Sequence, residues 1–259
     1  MPRWIGLALL FSACSLFPES PPLVDLTAGA AGFGGQAGGA GGVGGTGGGG
    51  QGGGPAGSGG QPPDASGCGG DQSLTLEAVA DTYLQNTPPN QTNGQAEFLQ
   101  VLAFNAFAGN RALVRFEFES SLPAGAEILD AALVLRLVLH QPASHELGVY
   151  RLARSWVEAE ATWSKPATSA TWSTPGGDFA SATATLAIDA SIMVGGVVSW
   201  DVTSDVTAFF DGSLSNHGWL LKHANDTAMN GEALRFGARE STTASERPQL
   251  TISYRVCGG

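Results

Sequence analysis

Residues 131–140, AALVLRLVLH, decide the fold class of this chain. The leucines at positions 133, 135, 137 and 139 alternate with a second set of side chains that includes Arg136 and His140. Residues 112–119, ALVRFEFE, repeat the pattern, with apolar side chains at 112, 114, 116 and 118. A period of two residues is typical of a β-strand that buries one face. Both segments are therefore predicted to be half-buried strands.

Similar shorter runs lie on both sides of these two segments, separated by Gly, Pro, Asn and Ser. They are LTLEAV, EFLQVLAF, LGVYRLA, TATLAI, GWLLKH, ALRFGA and QLTISY. About nine or ten strands without helices between them indicate an all-β protein, an antiparallel β-sandwich. One segment differs, because residues 201–212, DVTSDVTAFFDG, carry apolar residues at helical spacing. We predict one short helix there, closing an edge or end of the sandwich.

The N-terminus resembles an export signal. Residues 1–13 combine an early arginine, the apolar run WIGLALLF and small residues before Cys14. The apolar run is far shorter than the about 20 residues that span a membrane. The sequence FSAC resembles a bacterial lipobox and predicts lipidation of Cys14, whereas the alternative is an ordinary signal peptide cleaved a few residues later. Either reading places the mature protein outside the cytoplasm, in the extracellular space or at the cell surface. Lipidation would anchor it to a bacterial outer membrane.

Composition separates a tether from a folded domain. Residues 14–67 are rich in glycine, and the stretch from Leu26 to Pro63 contains no Asp, Glu, Lys or Arg. Such a segment has too few apolar side chains to offset the entropy of ordering, so we predict a disordered linker. The remainder, residues 68–259, is long enough for one domain, which we expect to be monomeric. From residue 71 onward it holds 20 acidic against 11 basic residues, a balance that argues against a nucleic-acid partner.

Two cysteines flank the predicted domain. Cys68 precedes the first strand and Cys257 follows the last one. In an exported protein such a pair predicts a disulfide bond, which requires the first and last strands to be neighbours. Zinc binding is the weaker alternative, since two cysteines without nearby histidines make a poor site.

Six motifs in order resemble one protein family. They are the Asp-Thr-Tyr at 81–83 and the segments 112–137, 149–163, 200–212, 217–222 and 234–254. Together they resemble the DNRLRE domain family, which is related to carbohydrate-binding module family 96 and to disaggregatase-related repeats, over about residues 78 to 255. The resemblance implies a jelly-roll-like sandwich on a secreted or surface protein that recognises polysaccharides, acidic ones among them. Residues 165–182 depart from the family pattern.

The tryptophans divide between packing and binding. Trp156 and Trp163 belong to the shared Ser-Trp-x-Glu-x-x-x-Thr-Trp pattern, which implies that they build the fold. Trp172 lies in the segment that departs from the pattern, so we consider it a candidate for stacking against a sugar ring.

Arginines on the predicted strands are the second set of candidate ligand-binding residues. They are Arg115, Arg136, Arg151 and Arg235. Several could project from one sheet face, where a guanidinium binds a uronic-acid carboxylate through two parallel hydrogen bonds. The alternative is that each arginine pairs with a strand carboxylate such as Glu117 or Glu119.

A structural calcium ion is a third expectation, with Asp81, Asp201 and Glu240 as its ligands. Helix caps and surface salt bridges are the alternative role for these residues.

Catalysis is not expected. The sequence lacks HExxH and G-x-S-x-G, and the histidines at 140, 145, 217 and 223 show no paired metal-ligand spacing. We predict a non-catalytic carbohydrate-binding module without a cofactor, calcium aside, whose partner is a polysaccharide or cell-surface polymer. A structural or adhesive coat protein is the alternative.

Overall fold

The computed structural model describes residues 67–103, 109–140, 144–225 and 233–258. The predicted signal peptide, the Cys14 lipidation site and the predicted linker up to residue 66 lie outside the described residues. Within the described part, the chain forms eleven strands, one α-helix and one short 3-10 helix.

The strands account for most of the regular structure. They are β1 (Gln72–Glu77), β2 (Ala80–Gln85), β3 (Phe98–Leu102), β4 (Asn110–Arg115), β5 (Ala126–Leu139), β6 (His145–Leu152), β7 (Phe179–Ile188), β8 (Val197–Asp201), β9 (Trp219–His223), β10 (Ala233–Gly237) and β11 (Gln249–Val256). The helix α1 spans Thr203–Phe210, and the 3-10 helix spans Ala244–Glu246. The predicted single helix and the all-β class are both confirmed.

Every strand pairing is antiparallel, and the sheet curls on itself. The order is β1-β11-β5-β10-β3-β4-β9-β6-β7, with β2 beside β4 and β8 beside β5. The long strand β5 pairs with β11 through Val134 and with β10 from Leu137 onward. Strands β3 and β4 pair only where Leu102 faces Asn110, and there the sheet passes from one layer to the other. We call these the β5 layer (β1, β11, β5, β8, β10, β3) and the β4 layer (β2, β4, β9, β6, β7).

The main core lies between the two layers. Alternate residues of β5, the leucines at 133, 135 and 137, are almost fully buried there, as the period of two predicts. Aromatic rings fill the centre: Trp200 contacts Phe236 with ring centroids 6.3 Å apart, and Trp219 contacts Phe209 of α1 at 5.6 Å. Burial of rings this large dominates core stabilisation, so α1 is anchored by its aromatic face.

A second core covers the outer face of the β4 layer. Residues 153–178, between β6 and β7, fold over that face and bury Leu113, Leu152 and Leu220. Trp156 and Trp163 lie within this cluster, which confirms that they pack. Strands β4 and β9 at the centre of the β4 layer are therefore buried on both faces, whereas β7 at its edge is largely exposed or half-buried.

The predicted disulfide bond between Cys68 and Cys257 is present. The two cysteines also face each other as an antiparallel bridge beyond β1 and β11, which pair along their whole length. None of the helices among the described residues is long and apolar enough to cross a membrane.

Candidate functional site

The structure separates the four predicted arginines. Arg115 lies on the outer face of the β4 layer, with its guanidinium 5.9 Å from the ring centroid of Trp156 and 4.0 Å from Glu117. Arg151, at the end of β6, lies 3.4 Å from the Asp205 carboxylate in α1. These two follow the alternative expectation that each arginine finds a carboxylate.

Arg136 and Arg235 do share one face, the outer face of the β5 layer. Arg136 donates hydrogen bonds to the carbonyl oxygens of Ser245 and Gly195. It therefore links the 3-10 helix to the turn that precedes β8. Arg235 stacks 4.1 Å from the ring centroid of Phe98 and donates from Nε to Gln100 at 2.8 Å. The four arginines therefore do not form one cluster.

Trp172 is buried together with Trp156 and Trp163. Its side chain belongs to the second core, it is 5% exposed, and its indole N–H donates to the Thr162 carbonyl at 2.9 Å. In this structure the ring contributes to packing of the 153–178 segment, and little of its surface is open for stacking against a sugar.

A polar cavity opens beside the second core. Its volume is about 400 Å³, and its lining residues are Arg111, Ala153, Arg154, Ser173, Thr174, Gly177, Asp178 and Phe179. We call it the Arg154 pocket. One wall is rigid, because the buried Arg111 guanidinium lies 4.9 Å from the ring of Trp163 and 5.3 Å from that of Phe179. Cation–π contacts of this kind and a hydrogen bond from Arg111 to the Gly176 carbonyl hold the wall in place.

Arg154 and Asp178 face each other at the rim. The Arg154 side chain is 43% exposed, and its Nε lies 3.1 Å from Asp178 Oδ2. Asp178 also accepts the backbone N–H groups of Ser173 and Thr174, both at 3.0 Å. Burial alone would raise the pKa of Asp178, but these hydrogen bonds and the nearby Arg154 charge outweigh burial and lower the pKa. The pocket therefore presents an ionised carboxylate beside two guanidinium groups.

Arg154 also lines a second depression. It has a volume of about 360 Å³ and is lined by Arg154, Ser155, Trp156, Val157, Ala167, Ser169 and Ala170. Arg154 is thus shared by two depressions, one of which is also lined by Phe179 and the other by Trp156, and we call the two together the Arg154 track. Apolar walls with a few fixed polar groups are typical of small-molecule sites.

Two glycines allow the segment to close against the pocket wall. Gly176 and Gly177 have φ values of +91° and +111°. A Cβ atom on Gly176 would lie 2.6 Å from a ring atom of Trp163, closer than atoms can pack. The Thr-Pro-Gly-Gly-Asp run at 174–178 is the sequence signal that could have pointed to this turn.

The structure brings together two of the three predicted calcium ligands. Oxygen atoms of Asp81, Glu158 and Glu240 all lie within 4.8 Å of one another. Arg239 neutralises part of this charge, since its Nη2 lies 2.9 Å from Glu158 and 2.7 Å from Glu240. Asp81 is 1% exposed and accepts the Arg239 backbone N–H at 2.7 Å. Burial raises the pKa of Asp81 to about 8, although the hydrogen bond from Arg239 lowers it.

Asp201 lies elsewhere, at the end of β8. Its Oδ1 accepts the backbone N–H of Thr203 at the start of α1. This bond closes a local Asx-type turn just before the helix, because the N-cap residue of α1 is Val202 and Asp201 precedes it.

Residues 72–254 match carbohydrate-binding module family 96. The match covers most of the chain, so the protein belongs to this family, and the resemblance inferred from the motifs is confirmed. No curated protein matches the chain.

Proposed function

We propose that this protein is a non-catalytic module that binds an acidic polysaccharide along the track centred on Arg154. Family membership supports carbohydrate binding. The observation that carries the location is the partly exposed Arg154 guanidinium between two adjoining depressions. The proposal also includes three features that rest on the sequence alone. They are lipidation of Cys14, export to the bacterial surface and a disordered linker over residues 14–67.

Local charge favours an acidic ligand although the whole chain carries a net charge of −11. The Arg154 pocket contains two arginines against one ionised aspartate. Arg154 Nε lies against Asp178 and Nη1 donates to the Thr171 carbonyl at 2.8 Å, whereas Nη2 reaches the Ser173 hydroxyl only at 3.4 Å. That long contact leaves the N–H groups of Nη2 available to a ligand. A carboxylate of a uronic acid fits this donor, because guanidinium and carboxylate groups form short charge-assisted hydrogen bonds.

Neutral parts of the sugar have partners in the same pocket. The Phe179 ring offers an apolar surface to the C–H face of a pyranose. The Asp178 carboxylate accepts hydrogen bonds from the sugar hydroxyl groups, and the Thr174 hydroxyl can donate to them or accept from them. Ser173, Thr174, Gly177, Asp178 and Phe179 of the pocket lie in the segment that departs from the family pattern, whereas Arg154 lies in the family motif at 149–163. Ligand preference in this protein would therefore depend on residues 165–182.

Arg235 marks the competing location for the sugar site. It lies on the β5 layer, stacked on Phe98 and beside Gln100, a combination of aromatic ring, amide and guanidinium that also suits a polysaccharide. Comparing variants at the two positions decides between them.

The structural or adhesive alternative is favoured by one specific surface. Met193, Val194 and Val197 are 76%, 60% and 52% exposed, and they lie at the start of β8. Among the described residues, β8 pairs on one side only, with β5. Exposed apolar residues next to a free strand edge are typical of a surface that contacts another protein.

Glycan-array binding of the purified chain tests the proposal, with alginate, polygalacturonate and neutral β-glucans on the array. We expect binding to the acidic polymers that weakens as salt increases. Arg154→Ala should lower the affinity at least about tenfold, which corresponds to about 1.4 kcal/mol. Arg154→Lys should recover only part of it, because a lysine ammonium cannot contact Asp178 and the Thr171 carbonyl and still present a separate nitrogen to the ligand as the guanidinium does.

Arg255→Ala is the matched control, since Arg255 is a similarly exposed arginine that pairs with Asp71 and Glu127 away from the pocket. A loss of binding with Arg235→Ala but not with Arg154→Ala would move the site to the β5 layer. Absence of binding to every glycan by the folded protein would contradict the proposal and support the adhesive alternative.

A further inference from the structure

A groove opens between the end of α1 and the start of β5. Its volume is about 710 Å³. Residues between 119 and 125, the first residues of β5 and the last turn of α1 line it. None of its lining residues also lines the Arg154 track. We call it the α1 groove, and its size is within the range of about 300–1,000 Å³ that is usual for binding sites.

Apolar side chains supply much of the lining of the α1 groove. Leu122 is buried there, whereas Ile128 and Phe210 are half-buried beside the main core. Phe210 follows Phe209, whose ring packs 5.6 Å from that of Trp219, so the core fixes the position of the helix. The half-buried side chains keep apolar surface that a partner would remove from water, which favours binding.

Hydrogen bonds fix the turn that leads into β5. The Leu122 N–H donates to the Phe118 carbonyl at 3.2 Å, and the Ala126 N–H donates to the Pro123 carbonyl at 3.1 Å. Gly125 adopts a φ of +77°, which this turn requires. The wall of the groove is therefore formed in the free protein, and little loss of entropy opposes binding there.

The charged residues that line the α1 groove are all acidic. They are Glu119, Glu127 and Asp211, and all three are exposed. Glu119 accepts hydrogen bonds from the Asn216 amide at 2.9 Å and the Phe118 backbone N–H at 3.1 Å, and these neutral donors leave its charge in place. Glu127 shares Arg255 with Asp71, at 3.7 Å and 3.4 Å.

The end of α1 adds to the negative potential. The helix has no basic residue in its last turn, and its C-cap is Asp211. Hydrogen bonding from Ser213 lowers the pKa of Asp211 and so keeps it ionised. The carbonyl end of a helix carries a partial negative charge that a cation stabilises and a carboxylate does not. A positive charge from a partner would relieve this arrangement.

The rest of the chain does not supply that charge. Residues 14–67 contain no Lys, Arg or His, and their charged residues are Glu19, Asp25 and Asp64. From residue 71 onward the chain holds 20 acidic against 11 basic residues, so a second copy would bring mainly like charge. Nucleic acids and anionic lipid surfaces would be repelled for the same reason.

A sugar and a metal ion also fit the α1 groove poorly. Thr207 is the one uncharged polar side chain among the described lining residues, whereas a sugar needs several partners for its hydroxyl groups. Within the described part of the chain, the carboxylates close enough to share a metal ion are those around Asp81. The ligand that matches the groove is therefore both cationic and apolar.

We propose that the α1 groove binds a segment of another protein in which a lysine or arginine lies beside a large apolar side chain such as leucine or phenylalanine. The apolar side chain packs against Ile128 and Phe210, and the cation lies near Asp211 and Glu119. This interaction goes beyond carbohydrate binding, because the two sites have no lining residue in common. It gives the domain a protein partner in addition to a polysaccharide.

An array of synthetic peptides of about eight residues and varied sequence, probed with the labelled full chain, tests the proposal. We expect the bound peptides to be enriched in sequences that place Lys or Arg close to Leu, Ile, Met, Phe or Trp. Fluorescence anisotropy then gives the dissociation constant of an enriched peptide. Added salt should weaken binding without abolishing it, because salt screens the ion pairs but not the apolar contact.

A change of one charge tests the electrostatic part. Asp211→Asn keeps an oxygen that accepts the Ser213 backbone N–H and removes the negative charge. The affinity for the peptide should fall about two- to fivefold, as is typical of an exposed ion pair. Asp189→Asn is the matched control, because Asp189 makes the same local hydrogen bond, to Ser191, and lies outside the groove.

A change in the lining tests the location. Ala124→Arg adds both bulk and positive charge to the groove, so the affinity should fall at least about tenfold, which corresponds to about 1.4 kcal/mol. Ala190→Arg is the matched control at another exposed alanine outside the groove. Thermal unfolding of each variant shows whether a loss of binding comes from a loss of folding.

Four results would overturn the proposal. They are no binding of any peptide by the folded chain, bound peptides without a basic residue, affinities that Asp211→Asn and Ala124→Arg leave unchanged, and equal losses in the two control variants. Self-association of the purified chain that Ala124→Arg abolishes would also overturn it, and would assign the groove to a second copy. Arg154→Ala should leave peptide binding unchanged, so failure of the sugar site and failure of the α1 groove are distinguishable.

Discussion

Replacing Asp81 by asparagine should remove much of the pH dependence of stability between about pH 4 and pH 8. Asp81 is 1% exposed and lies against Glu158 and Glu240. Burial raises its pKa from 3.8 to about 8, so the folded protein holds this proton more tightly than the unfolded chain does. Its contribution to stability is complete below pH 3.8 and is lost as the pH rises through about 8.

The interval between these two pKa values sets the size of the effect. Each tenfold difference in proton affinity corresponds to about 1.4 kcal/mol, so the free energy of unfolding should fall by at most about 6 kcal/mol across this range. Asparagine keeps the shape of the side chain and an oxygen that can accept the Arg239 backbone N–H. The variant should therefore resemble the wild type near pH 4 and be the more stable protein near pH 9.

Urea unfolding at pH 5, 7 and 9 measures the difference. Asp189→Asn is the control, because Asp189 is an exposed carboxylate bonded to Ser191. Parallel stability curves for wild type and Asp81→Asn would refute the reasoning that burial governs this carboxyl group. The same assay with added calcium tests the predicted calcium site. Calcium bound through Asp81 would stabilise the wild type near pH 9 and would not stabilise the asparagine variant.

Two further changes test the closure of the domain and the turn behind the pocket. Replacing Cys68 and Cys257 together by serine should lower the free energy of unfolding by up to about 5 kcal/mol, because the disulfide bond closes a loop of 189 residues in the unfolded chain. Urea titrations measure this loss, and an unchanged urea midpoint of unfolding would contradict the prediction. Gly176→Ala should cost about 1–3 kcal/mol more than Gly212→Ala, since both glycines have positive φ but only Gly176 faces a ring. Equal losses in thermal unfolding would count against the contact with Trp163.

The strands were predictable because the signal of a strand, the alternation of apolar and other side chains, lies in neighbouring residues. The leucines of β5 and the apolar residues of β4 alternate over a few positions, and the pleat turns that alternation into two faces. The curl of the sheet was not predictable in the same way. The curl depends on a change of partner along β5, which pairs first with β11 and then, from Leu137 onward, with β10. Such pairings join residues that are far apart in the sequence.

The site was harder to predict, since alternation reveals which residues share a strand face but not what covers that face. Trp172 stood in a polar segment and looked accessible, yet the segment folds back and buries it. Arg154 and Asp178 lie 24 positions apart and meet only because residues 153–178 return to the β4 layer.

The covalent link between Cys68 and Cys257 also determines how this domain responds to mechanical load. The chain enters and leaves the sandwich at one place, and the bond joins these two points directly. A pulling force applied between the two flanking ends would pass through the sulfur atoms and bypass the residues between them. With the disulfide bond intact, the strands would therefore carry none of this force. In the reduced protein the same force would act directly on the pairing of β1 with β11 and would separate the two strands.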